Sequence, residues 1–210
     1  MSQVTLALNP GVSVVLEGLD GTGKSTQLSI LKSALDPGSV VLAHMPSGFT
    51  QFTRRVSEAL EGEGEGEGEG EGEEPTSGLA QQLAHLACHA ESIARLVAAI
   101  NSGALVLDRW WWSALAYGWY GGPVRGSGLS EKSFRELIDV IWAPVVASVV
   151  FVFLEPHQVD SNNSAGVEVG YRTLLEQYRD LSVVVSGGSP SDTHDFIVRT
   201  LIQRGLATRV

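Results

Sequence analysis

Short apolar runs alternate with amphipathic segments along most of this chain. Residues 12–16 form an apolar run that predicts a buried strand, and residues 25–35 are helix-compatible after an intervening glycine-rich turn. Residues 40–43 read as a second short strand, ending at His44-Met45-Pro46-Ser47-Gly48, with a helix from about 50 to 60 behind it. Leu79, Leu83, Leu86, Ala90, Ile93, Val97 and Ile100 recur at helical spacing, so a long amphipathic helix is expected, closed by Gly103 as a C-terminal cap. It feeds a short apolar strand at 104–107. Further on, residues 130–142 predict a helix opened by Ser130 as N-cap, and 145–154 a buried β-branched strand. A helix at 167–180, a strand at 181–185, a turn at 186–190 and a last helix from about 192 to 204 complete the series. Strands alternating with helices argue a parallel five-stranded sheet with helices on both faces, a three-layer α/β fold.

One segment breaks the pattern. Residues 61–72 are six Glu-Gly dipeptides, extended by Glu73, Glu74 and Pro75. The alternation is no strand signal, because glycine has no side chain to bury and like charges on one face repel. A disordered insert over 61–75, without chemistry of its own, is expected within a single domain spanning 1–210. The insert also explains the net charge of −10: residues 61–74 hold eight glutamates, and outside them 16 acidic residues face 14 basic ones. A nearly neutral body neither demands a nucleic-acid partner nor excludes one. The lone Cys88 cannot form an internal disulfide, and residues 1–11 have neither a basic start nor a long apolar run, so a cytoplasmic protein without a membrane partner is expected. The apolar run at 145–154 is half the length of a bilayer crossing.

The chemistry gathers at two places. Gly18-Leu19-Asp20-Gly21-Thr22-Gly23-Lys24-Ser25-Thr26 fits the phosphate-loop pattern G-x-x-x-x-G-K-[ST] and lies between a strand and a helix, as that loop requires. Gly18, Gly21 and Gly23 let backbone N–H groups converge on an anion at a helix N-terminus, with Thr22, Ser25 and Thr26 in the same cradle. Lys24 is expected to reach the β- and γ-phosphates and Ser25 to ligate Mg²⁺. Asp108, a carboxylate at the end of an apolar strand, is the expected second metal-holding group. Beyond it Trp110, Trp111, Trp112, Tyr117, Trp119 and Tyr120 crowd together, at least half of them core residues, with those that face a cleft able to stack on a base. The polar stretch 155–166 would lie over the phosphates as a short lid. Arg54 and Arg55 are either acceptor contacts near the strand ends or solvated surface arginines.

Two stretches together resemble the thymidylate kinase family of phosphate-loop nucleoside monophosphate kinases. They are Leu16-Glu17-Gly18-Leu19-Asp20-Gly21-Thr22-Gly23-Lys24-Ser25-Thr26-Gln27, and Leu107-Asp108-Arg109-Trp110 followed by Ser113, Ala116, Tyr117 and Gly118; weaker similarity continues at Tyr171-Arg172 and Leu174. The resemblance implies a P-loop NTPase fold and transfer of the γ-phosphoryl of ATP, with Mg²⁺, to a thymidylate-like acceptor. It also implies catalytic roles for Lys24, Asp20 and Arg109, with Asp20 near the acceptor sugar and Arg109 near the transferring group, and a possible homodimer. Asp20 could instead cap the turn. The chain departs from the family where Arg-Glu-Pro is replaced by His44-Met45-Pro46 and where the long helix carries no arginine between His85 and His89. His85 and His89 are either substitutes or ordinary helix histidines, and a neutral imidazole grips phosphate less well than a guanidinium. Either Arg54, Arg55, Arg109 and Arg125 supply enough charge, or the acceptor differs. Two alternatives follow: a DNA-directed kinase of the kind phages use on 5-hydroxymethyluracil in DNA, with a flipped base stacked on the aromatic segment, or a catalytically silent nucleotide-binding protein.

Overall fold

The computed structural model describes residues 6–61 and 77–210 of the 210-residue chain. Five parallel strands form its centre: β2 (Ser13–Gly18), β3 (Val40–His44), β4 (Ala104–Asp108), β5 (Val149–Phe153) and β6 (Ser182–Val185), in the order β3-β4-β2-β5-β6. Side chains on the central strands take turns facing two separate cores. Val15, Leu105, Leu107, Val150 and Val152 face one; Val14, Leu16, Val106, Val149 and Phe151 face the other. Burial on both faces is what a parallel sheet requires, and it explains the continuous apolar runs.

Helices α1 (Lys24–Ala34) and α7 (Pro190–Gln203) pack together on one face. The other face carries α3 (Gly78–Ser102), α5 (Glu131–Trp142) and α6 (Ala165–Gln177), with α2 (Gln51–Glu61) packed on α3. Helix α3 is long and apolar enough to cross a membrane by length and composition, yet its Leu86, Leu96 and Ala99 are core residues against the sheet. Ser130 accepts the N–H of Ser133 and so caps α5, as expected.

The structure corrects several expectations. Of the run at 145–154, only Val149–Phe153 is a strand and continuously buried; Val146 just before it is 73% exposed, because an apolar run alone sets neither backbone conformation nor which residues of a connecting loop face solvent. Helix α6 begins at Ala165, which shortens the polar loop before it, and Glu61 closes α2 instead of opening a loop. The remaining Glu-Gly residues of the expected insert lie outside the described residues. Gly103 ends α3 in an extended conformation and not a left-handed one; a Cβ there would fall 2.2 Å from the Ser39 carbonyl oxygen, so close approach is what requires glycine. Two short strands were not foreseen. β1 (Leu6–Leu8) pairs antiparallel with β7 (Ala207–Arg209), and three residues are too few to show a period. Nor was helix expected in the aromatic segment, which forms α4 (Trp111–Leu115) and a π-helical turn over Ala116–Tyr120. Every residue of α4 is buried, so no polar face marks its period.

Candidate functional site

The C-terminal ends of β2, β3 and β4 converge. In register, Asp108 stands beside Leu16 on one side and His44 on the other. The chain leaves β2 at Gly18 (φ 131°), where a Cβ would collide with the Phe153 carbonyl, then turns through Gly21 and Gly23 into the N-terminus of α1. Lys24 is buried inside this loop and its Nζ donates to the carbonyl of Leu19 and, at 3.5 Å, to Thr22 Oγ1. Burial and the charge of Arg109 push the ammonium down to about 8, against the pull of Asp108, Asp20 and Glu17.

Ser25 donates its hydroxyl to Asp108 Oδ2 at 3.0 Å, although 83 residues separate them. His44 Nδ1 lies 3.2 Å from the same oxygen. Burial raises the Asp108 carboxyl, but the hydrogen bond and charge of His44, then Lys24 and Arg109, outweigh it and hold the group below its usual value. The other oxygen, Oδ1, is buried without a hydrogen-bond partner among the described residues. A buried, unsatisfied carboxylate oxygen is costly unless something binds it. On a carboxylate whose other oxygen holds the Ser25 hydroxyl, at the mouth of an amide cradle, it fits a hard cation with oxygen ligands.

Arg109 is the one non-glycine residue at positive φ among the described residues, at 74°. That conformation throws its guanidinium back across the loop, where it forms an ion pair with Asp20, donates to Ser113 Oγ at 3.0 Å and lies 5.2 Å over the Tyr117 ring. Burial opposes the charge, but the oxygens of Tyr171, Tyr117, Asp20 and Glu17 overcome it, so Arg109 remains a cation. Asn163 pairs with the main chain of Asp20 in both directions, accepting its N–H and donating to its carbonyl, each at 2.8 Å. Together with the bond from the His157 N–H to the Gly21 carbonyl at 2.9 Å, this lays the loop after β5 directly on the phosphate loop.

Two cavities flank the loop. The larger, about 510 Å³, opens between α3 and the aromatic segment and is lined by Asp20, Gln82, His85, Arg109, Trp110 and Tyr117 among others. Its size suits a small organic ligand. The smaller, about 110 Å³, lies beside Thr22, Gly23 and Thr26 on the side of the β6–α7 turn, with Gly187, Gly188 and Pro190 on its far wall.

Lys24, Ser25, Asp108, Asp20, Arg109, Trp110 and Tyr117 are thus brought together, and His85 joins them on the cleft wall. Burial and Arg109 hold its imidazole below the ordinary value, so it presents a neutral polar edge rather than a charge. Arg54 and Arg55 do not join. Arg54 is exposed and donates to the Gly48 carbonyl, and Arg55 lines a separate groove with Phe52 and Val56 on α2. Arg125 is exposed too, over the Trp119 ring. His89 is a core residue that accepts the indole N–H of Trp142 at 3.4 Å. Sequence reading assigned no role to Glu17, Asn163 or Tyr171. A carboxylate inside an apolar strand was the available signal for Glu17; for Asn163 there was none.

Known proteins resemble this chain over most of its length. A family model for thymidylate kinase matches residues 16–133, from the end of β2 to the start of α5. A probable thymidylate kinase of Thermococcus gammatolerans is 36% identical over 210 residues, covering 94% of this chain and 99% of that protein. One from Pyrococcus abyssi is 27% identical over 199 residues, covering 90% and 94%. Among solved structures, the thymidylate kinase of Ehrlichia chaffeensis superposes with a TM-score of 0.69 at 20% identity, covering 91% of this chain and 98% of that one. That of Candida albicans gives 0.66 at 18% identity, covering 97% and 96%. At those identities the superpositions establish a shared fold. The family model and the full-length relatives establish more: this chain belongs to the thymidylate kinase family.

Proposed function

We propose that the protein transfers the γ-phosphoryl group of ATP, with Mg²⁺, to a thymidylate-like deoxynucleoside monophosphate. The observation that carries this reading is the meeting of Ser25 with Asp108, one oxygen of which is left buried and unpartnered, at the junction of a phosphate loop and a 510 Å³ cleft. Ser25 and Asp108 would hold Mg²⁺, which supplies charge neutralisation on the β- and γ-oxygens when bound. Lys24 and the amides of Gly18 through Thr26 bind the triphosphate, and the small cavity beside Thr26 and Pro190 receives the rest of the nucleotide. Arg109 supports the charge on the transferring group from the acceptor side. Asp20, which lines the cleft and pairs with Arg109, would meet an acceptor sugar hydroxyl. Trp110 and Tyr117 offer aromatic surface for the acceptor base, and the loop docked by Asn163 shields the phosphates from water.

In the reaction an acceptor phosphate oxygen bonds to the γ-phosphorus while the bond to the β–γ bridging oxygen breaks, leaving ADP. Such a transfer asks for alignment and positive charge rather than a covalent partner, which is what Lys24 and Arg109 would provide. ADP formation driven by dTMP tests the proposal. Lys24→Ala and Arg109→Ala should each abolish it. ATP hydrolysis without transfer to dTMP, label appearing instead on hydroxymethyluracil-containing duplex DNA, or full turnover by Lys24→Ala would overturn it.

A further inference from the structure

Glu17 is the charged residue of an otherwise apolar strand and is wholly buried at the end of β2. A carboxylate in a dry core costs several kcal/mol unless its oxygens are satisfied, and the strand pairing of β2 makes no use of the charge. Here the oxygens are fully engaged. Oε1 accepts the main-chain N–H of Trp110 at 2.7 Å and of Ser113 at 3.0 Å; Oε2 accepts the hydroxyls of Ser113 at 2.7 Å and Tyr171 at 2.9 Å.

These donors have a common purpose. Helix α4 starts at Trp111, and its N-cap residue Trp110 offers no side-chain hydrogen bond to the first turn. The N–H of Ser113, normally satisfied by a Ser, Thr or Asp side chain at the N-cap, is shared here between the Trp110 carbonyl at 3.2 Å and, more closely, Glu17 from 96 residues away at 3.0 Å. The same Ser113 presents its Oγ to Arg109, whose backbone is at a positive φ that a non-glycine residue holds only when its surroundings impose it. A continuous path therefore runs from the Glu17 carboxylate through Ser113 to the Arg109 guanidinium, with Tyr171 of α6 2.9 Å from Ser113 Oγ as a second support.

We infer that Glu17 is a positioning residue: it caps α4 from another strand and, through Ser113, fixes the 109–113 turn so that Arg109 faces the cleft. Glu17 touches no substrate. Its mutation acts on the reaction only through where Arg109 points. The inference uses the kinase reading for its kinetic readout alone.

The test compares Glu17→Gln, Ser113→Ala and Tyr171→Phe with the parent. Phenylglyoxal labelling, followed residue by residue by mass spectrometry on the folded protein, reports the exposure of Arg109. In the parent, Arg109 should react far more slowly than the exposed Arg54 and Arg125. In Glu17→Gln and Ser113→Ala it should approach them, while theirs stay unchanged; Tyr171→Phe should lie between. In dTMP-driven turnover Glu17→Gln should lower kcat about 10- to 100-fold, as a displaced positioning contact does, with KM for ATP unchanged. Parent-like labelling of Arg109 in Glu17→Gln overturns the inference. If Glu17→Gln does not fold, labelling of Ser113→Ala decides. A parent inert toward dTMP would sink the kinase reading, and the labelling rates would still settle the role of Glu17.

Discussion

Lys24 is held in its loop with an ammonium pushed down to about 8 from an ordinary 10.5, burial being the largest cause. Between those two values the unfolded chain binds a proton that the native chain does not, so stability of the nucleotide-free protein rises with pH across that window. A triphosphate brought against Lys24 reverses the balance by favouring its charged form. Binding of Mg·ATP at pH 8.5 should therefore be accompanied by proton uptake, read from titration calorimetry in buffers of different ionisation enthalpy. Lys24→Met should remove the uptake; its absence from the parent would refute the coupling. Asp108→Asn should raise the Mg²⁺ concentration needed for nucleotide binding while leaving the fold intact, because Oδ1 has no hydrogen-bond partner among the described residues and an amide oxygen can still accept the Ser25 hydroxyl. At this scale the sequence showed the loop residues and Asp108 well, since their spacing is local or fixed by a strand end. It did not show that Asn163 lies on Asp20 or that Glu17 caps a helix, because both depend on pairings across 143 and 96 residues.

Helix α3 shows how one element serves both core and cleft. Both His85 and His89 line the cleft, but His89, one turn later, is nearly fully buried and packs against Trp142, its ring 5.2 Å away and edge-on. Burial, helped by His85, pushes the His89 imidazole down to about 3 from 6.5. As pH falls from 6.5 toward 3 the unfolded chain gains a proton that native His89 refuses, so stability drops, by up to about 1.4 kcal/mol per pH unit. Replacing His89 with Phe, which keeps the ring and removes the titration, should flatten the acid limb of a pH series of urea melts between 6 and 4; an unchanged limb would mean that other groups carry it. The helix of α3 was legible from the recurrence of Leu79, Leu83, Leu86, Ala90, Ile93, Val97 and Ile100, but its buried face was read off-centre, since Leu83 and Ala90 are exposed while Gln82, Ser92 and Leu96 are buried; in α4 three tryptophans in succession gave no period to read. Caps were legible where they were local. Ser130→Ala should cost about 1 kcal/mol of stability, measured by chemical melt, without touching turnover.

The molecule as a whole is two cores divided by one sheet, and the division is functional. The core shared by α3, α4, α5 and α6 also forms the wall of the large cleft: Trp110, Ala114 and Val167 belong to both. Among the described residues, none of the core under α1 and α7 lines the large cleft, whereas its Phe153 and Val185, with Pro190 and Thr193 at the start of α7, line the small cavity. Cavity-forming substitutions should therefore separate stability from acceptor recognition according to the face they occupy. Ile197→Ala, fully buried in α7 beyond that cavity, should cost about 2–5 kcal/mol and lower the melting temperature, while KM for the acceptor, measured well below the melt, stays at the parent value. Val167→Ala removes less apolar volume and so destabilises less, yet it should raise acceptor KM, because its side chain is also part of the cleft wall. A stronger effect of Ile197→Ala than of Val167→Ala on acceptor KM would show that the sheet transmits packing from one face to the other, and would overturn the separation of the two cores on which the argument rests.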